Sequence, residues 1–333
     1  MSLELKLHMG QQLDVFKIKR MKFLFTILFL VFYEFANAQV AGMPLVIDPL
    51  FRKFNLIVST STSTTANFTL HVATNSSKPI LECGVVYSYN NNATTSSNVG
   101  KWLAATNFNG INVLTTTITN SFVFAPYYAN PYVILSTGTY YGSAIQFTPN
   151  WPTVTIAGKV WAAANLGATV IATAASTNSN MFGFYYQWGR GSDGHQLSSS
   201  TTTSTIATSS IPGNSNFITN ISGVYYFDWM TLQDVTLWQG LYGKNNPCPS
   251  GYRIPSSTEL KSAYSTLQIP NNGYRRAQDG ALVATNWGYL WTTDLRTNSK
   301  NGYSYWRADE YEKDNSVVGS DNANGFPIRC IQN

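Results

Sequence analysis

The sequence predicts two β-rich units in series behind a removable leader, the second unit carrying the one clear helix. Three observations carry that reading. A length of 333 residues exceeds what one compact core ordinarily holds. Short strand-like runs separated by clusters of Asn, Gly, Ser and Pro recur through residues 51–150. A boundary at Pro149, Trp151 and Pro152 then gives way to a stretch richer in Gly, Trp and Tyr, which contains a helix-start signature. Charged residues make up only 11% of the chain against about a quarter in average globular proteins, and Ser, Thr and Asn are abundant. That is the composition of extracellular β-rich modules rather than of cytosolic enzymes. An apolar share of 44% argues against wholesale disorder.

The leader comes first. Lys17, Lys19, Arg20 and Lys22 precede an apolar run from Phe23 to Tyr33, and Ala36-Asn37-Ala38 follows before Gln39, the order of a signal peptide. Cleavage is expected after Ala38. Residues 1–20 carry no structural pattern, so Met21 is the more natural start. The apolar run is roughly half of the ~20 residues a membrane-spanning helix needs, and no later segment is apolar enough to cross. No Cys follows the cleavage point, which argues against a lipid anchor. The chain is therefore expected to be secreted or held at the outer cell surface, with no membrane span once the leader is removed. Residues 1–38 hold five Lys/Arg and three Asp/Glu, so the formal charge of +5 falls to +3 in the remainder. With no Lys/Arg stripe, nucleic acid is excluded as a partner.

Residues 51–150 read as a β-sandwich of the immunoglobulin or fibronectin type III sort. Strands are predicted at Leu56 to Ser59, Phe68 to Val72, Glu82 to Tyr89, Thr115 to Phe124, Tyr132 to Ser136 and Ser143 to Phe147. Phe68, Leu70 and Val72 alternate with Thr69 and His71, the pattern of a half-buried strand. His71 is read as structural, because a metal would need companions that the neighbouring sequence lacks. The stretches "LECGVVYS" and "PYVILSTGTYYGSAIQFTP", with their "YYGxxxxF" corner, resemble the fibronectin-type modules of Bacteroidetes surface proteins. That resemblance implies a spacer with no chemistry of its own.

From residue 151 a β-turn is predicted at Ala157-Gly158-Lys159, followed by small residues around Trp161. The stretch Met181 to Gln196 alternates aromatics with Gly and then turns. Leu197 to Ser210 is a low-complexity polar tract, read as a solvated loop. Ser256 and Glu259 form an S-x-x-E capping box after Pro255, which predicts a helix from Ser257 to Leu267, ended by Pro270-Asn271-Asn272-Gly273. Strands are expected at Gly288 to Thr292, Tyr303 to Ala308 and Phe326 to Ile331.

The segments "GKVWAAANLGA", "FGFYYQWGRGSDGHQ", "LWQGLYGKNNPCPSGYRIPSSTEL", "YLWTTD" and the terminal "GFPIRCIQN" resemble, in order and spacing, the Fibrobacter succinogenes major paralogous domain family across residues 151–333. The resemblance implies an α+β C-type-lectin-like fold for that unit. It also implies a bridge that brings the domain's ends together, and in an exported chain Cys248 and Cys330 are its natural partners. Cys83, in "ECGVV", is then left over and is read as a buried small side chain rather than a reactive thiol, with intermolecular pairing as the minor alternative.

Catalysis finds little support in these residues. The C-type-lectin-like superfamily includes formylglycine-generating enzymes, which need reactive thiols, but a domain whose two Cys are bonded to each other has none to offer. The Glu-Pro-Asn, Gln-Pro-Asp and Trp-Asn-Asp motifs of calcium-dependent lectins do not occur. Asp309, Glu310, Glu312, Asp314 and Asp321 are read as a solvated face rather than a metal site. Asp193 and His195 invite a hydrolase reading, yet no G-x-S-x-G elbow accompanies them, and the plainer account is a turn at Asp193-Gly194 with His195 capping or packing. No cofactor, no metal and no enzymatic activity are expected.

Binding is better supported. Trp and Tyr offer large rigid surfaces with a polar edge. Trp161, Trp188, Trp238 and Trp291 lie within the family segments and are assigned to packing. Trp229, Trp287, Tyr303, Tyr305 and Trp306 lie in more polar surroundings and are the candidates for stacking on a glycan or filling a pocket of an extracellular protein. The resemblance places the ligand surface on the loops between Asn271 and Asn324. The expected function is a binding or adhesion protein. The alternatives are a structural surface component without a specific ligand and an unrecognised extracellular enzyme.

Overall fold

The computed structural model describes residues 51–62, 65–74, 79–108, 111–119, 122–149, 151–221, 228–232, 234–263, 265–295, 303–308 and 317–333. The leader lies outside them, as do Asp309, Glu310, Glu312 and Asp314. Among the described residues the regular backbone is mostly β-sheet, with one short α-helix. No helix among them is long and apolar enough to cross a membrane.

The N-terminal half contains β1 (Phe51–Ser61), β2 (Thr65–Thr74), β3 (Ile80–Ser88), β4 (Gly100–Phe108), β5 (Ile111–Thr119), β6 (Tyr127–Leu135), β7 (Gly138–Tyr141) and β8 (Ile145–Phe147). They form two antiparallel sheets, β1-β2-β5 and β4-β3-β6-β7, with β8 also pairing β6. The period-two pattern on β2 decides which face turns inward: Phe68, Leu70 and Val72 are buried, while Thr69 and His71 between them stay partly exposed. These side chains share one core with Val85, Tyr87, Tyr127 and Val133 of the second sheet. Each such buried apolar side chain contributes about 1.5–3 kcal/mol. Phe147 meets Phe68 edge-on at 5.5 Å and stacks on Tyr127 at the same separation.

Cys83 is wholly buried on β3 and unbonded. Burial pushes its thiol up to about 11, so it stays protonated and packs as a small apolar side chain. The neighbouring Gly84 sits where the β3–β4 register shifts, and a Cβ there would strike the Trp102 carbonyl and the Tyr132 ring. Only glycine lets the two strands approach at that bulge.

In the C-terminal half, β9 (Thr153–Ile156) and β10 (Lys159–Ala162) form a hairpin. Its turn has positive φ at both central residues, Ala157 (50°) and Gly158 (76°), as the right-handed twist of a two-residue hairpin requires. The terminal strand Ile331–Gln332 returns to lie between β10 and the short strand Tyr252–Arg253. Beside it Cys248 and Cys330 form a disulfide, with Cα atoms 5.9 Å apart.

Helix α1 (Ser257–Ala263) starts where the capping box places it. The Ser256 amide donates to Glu259 Oε2 (2.9 Å) and the Glu259 amide donates to Ser256 Oγ (3.2 Å). Arg253 grips the same carboxylate through both Nη atoms, holding the Glu259 carboxyl down at about 2. The helix stops at Ala263, short of the expected Leu267; the amides of Thr266 and Leu267 both fold back on the Ala263 carbonyl, and this turn still buries Leu267. The strand expected from Phe326 to Ile331 is likewise split, into Gly325–Phe326 and Ile331–Gln332, with Pro327, which has no N–H to give a ladder, between them.

The two halves are bonded to each other. The Phe124 amide donates to the Ala168 carbonyl and the Gly167 amide to the Phe124 carbonyl, both at 2.8 Å. The Tyr89 ring from the first half meets Phe184 of the second at 4.8 Å.

Candidate functional site

Arg190, Asp193 and His195 share one turn-dense stretch, and their geometry settles what the imidazole is available for. His195 is fully buried. Its Nδ1 lies 2.6 Å from Asp193 Oδ1, and its Nε2 accepts the Gln187 amide at 3.1 Å. Both ring nitrogens are therefore engaged inside the protein. Burial, reinforced by the nearby Arg190 guanidinium, pushes the imidazole down to about 4, so it is neutral at physiological pH. An imidazole without a free nitrogen has none to present to a substrate. Burial also works against the Asp193 carboxylate, but His195 and the Arg190 Nε, 2.7 Å away, outweigh it and keep the acid ionised.

The polar tract that follows is only partly a solvated loop. Arg275, itself buried, donates to the carbonyls of His195, Leu197 and Ser200 and to Ser200 Oγ, while its guanidinium lies over the Phe217 ring. Thr202–Thr203 pairs in parallel with Phe217–Ile218. Asp193, at the edge of this network, keeps 27% of its side chain exposed.

The tryptophans are used mainly as packing. Trp161, Trp188, Trp238 and Trp291 are at most 1% exposed. The indole N–H groups of Trp188, Trp238 and Trp291 each donate to a backbone carbonyl, those of Thr292, Asn245 and Tyr186. Trp229 requires a correction: it belongs with these and not with the ligand candidates. It is 1% exposed, its Nε1 donates to the Trp188 carbonyl at 2.6 Å, and Arg190 lies over its ring. The polar neighbours that made it look superficial are internal fastenings. Asp228 accepts from the Met230 amide and from Asn322 Nδ2, and Asn220 Nδ2 donates to the Asp228 carbonyl. Trp287 is half-buried against the cluster containing Tyr289 and Phe326. The backbone of Tyr303, Tyr305 and Trp306 forms the strand Tyr303–Ala308, paired to Gly288–Leu295; their side chains lie outside the described residues. The five candidates thus do not assemble into one described surface.

A site that no sequence pattern marked opens between the two halves. The turn at Tyr89–Asn92 and Tyr128 on β6 face three loops of the C-terminal half, around Asp193, Ser210 and Asn245. The cleft is open to solvent and holds about 220 Å³. Its polar lining includes Asn91, Asn92, Tyr128, Asp193, Lys244 and Asn245. Asn245 is held by bonds from its Nδ2 to the Gly189 and Ser210 carbonyls, at 2.8 and 3.0 Å. Lys244 Nζ reaches Ser210 Oγ at 2.9 Å. Among the described residues no group of three or more His, Cys, Asp or Glu side chains gathers as metal ligands would. The available signal was the Asn90–Asn92 run and Asn245-Asn246, both of which read as turn residues when taken alone.

In comparisons with known proteins, no family model and no curated protein matches this chain.

Proposed function

We propose that this chain is a secreted or outer-surface binding protein, taking a glycan or an extracellular protein as ligand and doing no chemistry on it. In this reading residues 51–150 are an immunoglobulin/fibronectin-like sandwich, and residues 151–333 are a C-type-lectin-like domain related to the Fibrobacter succinogenes major paralogous domain family. Two facing antiparallel sheets around one core support the first assignment. The tail strand between β10 and Tyr252–Arg253, fastened by Cys248–Cys330, supports the second and suits an oxidising compartment. The observation that carries the binding role is the cleft, where several polar side chains line one open hollow across the two halves. The test is saturable binding of glycans or purified extracellular proteins to the exported full-length chain on a sensor surface.

A structural surface component is the second reading, favoured by side chains exposed far beyond what folding requires: Tyr242 at 93% and Leu232 at 76%. Concentration-dependent self-association in sedimentation, with no saturable ligand, would favour it.

A further inference from the structure

We propose that the cleft between the two halves binds a neutral saccharide ring, with recognition groups supplied from both sides. This rests on the binding role proposed above and adds the ligand class and its address.

A sugar hydroxyl is donor and acceptor at once, so its site must present both kinds of partner, held in place beforehand. The cleft does. Asn245 spends its Nδ2 on two carbonyls, and that leaves Oδ1 as a fixed acceptor with no partner among the described residues. Asp193 offers an ionised, partly exposed carboxylate anchored by Arg190 and His195. On the donor side, the Tyr128 hydroxyl accepts from Gln146 Nε2 at 2.9 Å, and burial raises its pKa, so it keeps a proton to give. Among the described residues Lys244 Nζ has one bond, to Ser210 Oγ, which leaves two further protons. The side-chain amides of Asn91 and Asn92, exposed on the opposite turn, supply both functions and make no bond among the described residues.

Charge and shape select the class. One carboxylate, already paired with a guanidinium, and one ammonium are too few for a phosphate or polyacidic ligand, and amides and hydroxyls predominate. Pro126, Ile211, Pro212 and Pro247 add apolar wall against which the C–H faces of a ring can lie. The cleft's volume of about 220 Å³ falls below the ~300 Å³ at which sites for drug-sized ligands begin, which suits a single ring lying in an open hollow. An extended peptide would seek a free sheet edge. Tyr128 lies on β6, which is paired on both sides at that residue, to Ser88 and to Gln146.

The experiment presents the exported full-length chain to an array of neutral mono- and oligosaccharides, with hits titrated calorimetrically. Compared with wild type are the double variant Asn91→Ala/Asn92→Ala, from the N-terminal half, and Lys244→Ala, from the C-terminal half, with Tyr242→Ala, an exposed residue that does not line the cleft, as the control. Expected is a neutral saccharide hit whose affinity falls about tenfold in each cleft variant at unchanged melting temperature, and stays within about twofold in Tyr242→Ala. A hit whose affinity the cleft variants leave unchanged overturns this site and leaves the proposed binding role standing. No saccharide hit, with a protein ligand bound instead, overturns the ligand class alone. Neither kind of ligand bound removes both proposals.

Discussion

His195 Nδ1 and Asp193 Oδ1 lie 2.6 Å apart within one turn, and the pair fixes a neutral, fully enclosed imidazole beside an ionised carboxylate. The carboxylate, partly exposed, forms one wall of the cleft between the two halves, so the same contact stiffens the candidate site.

That pair makes stability depend on pH in a defined window. The His195 pKa is pushed from 6.5 down to about 4, so between these values the unfolded chain binds a proton that the folded chain does not. Folding stability is therefore present in full above pH 6.5 and is lost as pH falls toward 4, by about 3 kcal/mol. Urea midpoints at pH 7 and pH 4.5 measure it. The Glu259 carboxyl, held at about 2, adds its own loss only below about pH 4.5. Equal midpoints at pH 7 and 4.5 would contradict this environment for His195.

Removing the Cys248–Cys330 bridge, which spans 82 residues, is expected to cost about 4 kcal/mol by releasing the unfolded chain. The double Cys248→Ala/Cys330→Ala variant should unfold at a correspondingly lower denaturant concentration. A thiol assay on the native wild-type protein should leave Cys83 unreactive, because it is wholly buried.

Glu259→Ala removes the reciprocal cap of α1 and the Arg253 ion pair together. A loss of about 1–2 kcal/mol is expected, and Glu259→Gln, which retains a capping oxygen, should recover part of it. Thermal melts of the two variants rank them.

Two exposed-looking aromatics should behave in opposite ways. Trp229→Ala opens a cavity beneath Arg190 and should cost about 3–5 kcal/mol, whereas Tyr242→Ala should stay within about 0.5 kcal/mol of wild type. Chemical denaturation of both variants separates packing from surface.

What the sequence disclosed follows from how local each signal is. The capping box lies within four residues and located the start of α1; the alternation at Phe68, Leu70 and Val72 gave the inward face of β2. Strands β4 and β7 escaped notice because both are outer strands of their sheet, and β4 carries no fully buried side chain among those described. Trp229 was misjudged because polarity was counted without its partners: Asn220 Nδ2 and Asn322 Nδ2 both turn inward to Asp228, which only the fold reveals. The cleft was illegible for a similar reason, since Asn91, Tyr128, Asp193 and Asn245 meet only after both halves fold and dock.

Hydrogen exchange of the full-length exported chain, with and without a saturating saccharide from the array, tests the central claim most directly. Protection confined to the backbone around 89–92 and 244–247, rising together, is the predicted result. Protection confined to 287–308 with those two segments unchanged would contradict it.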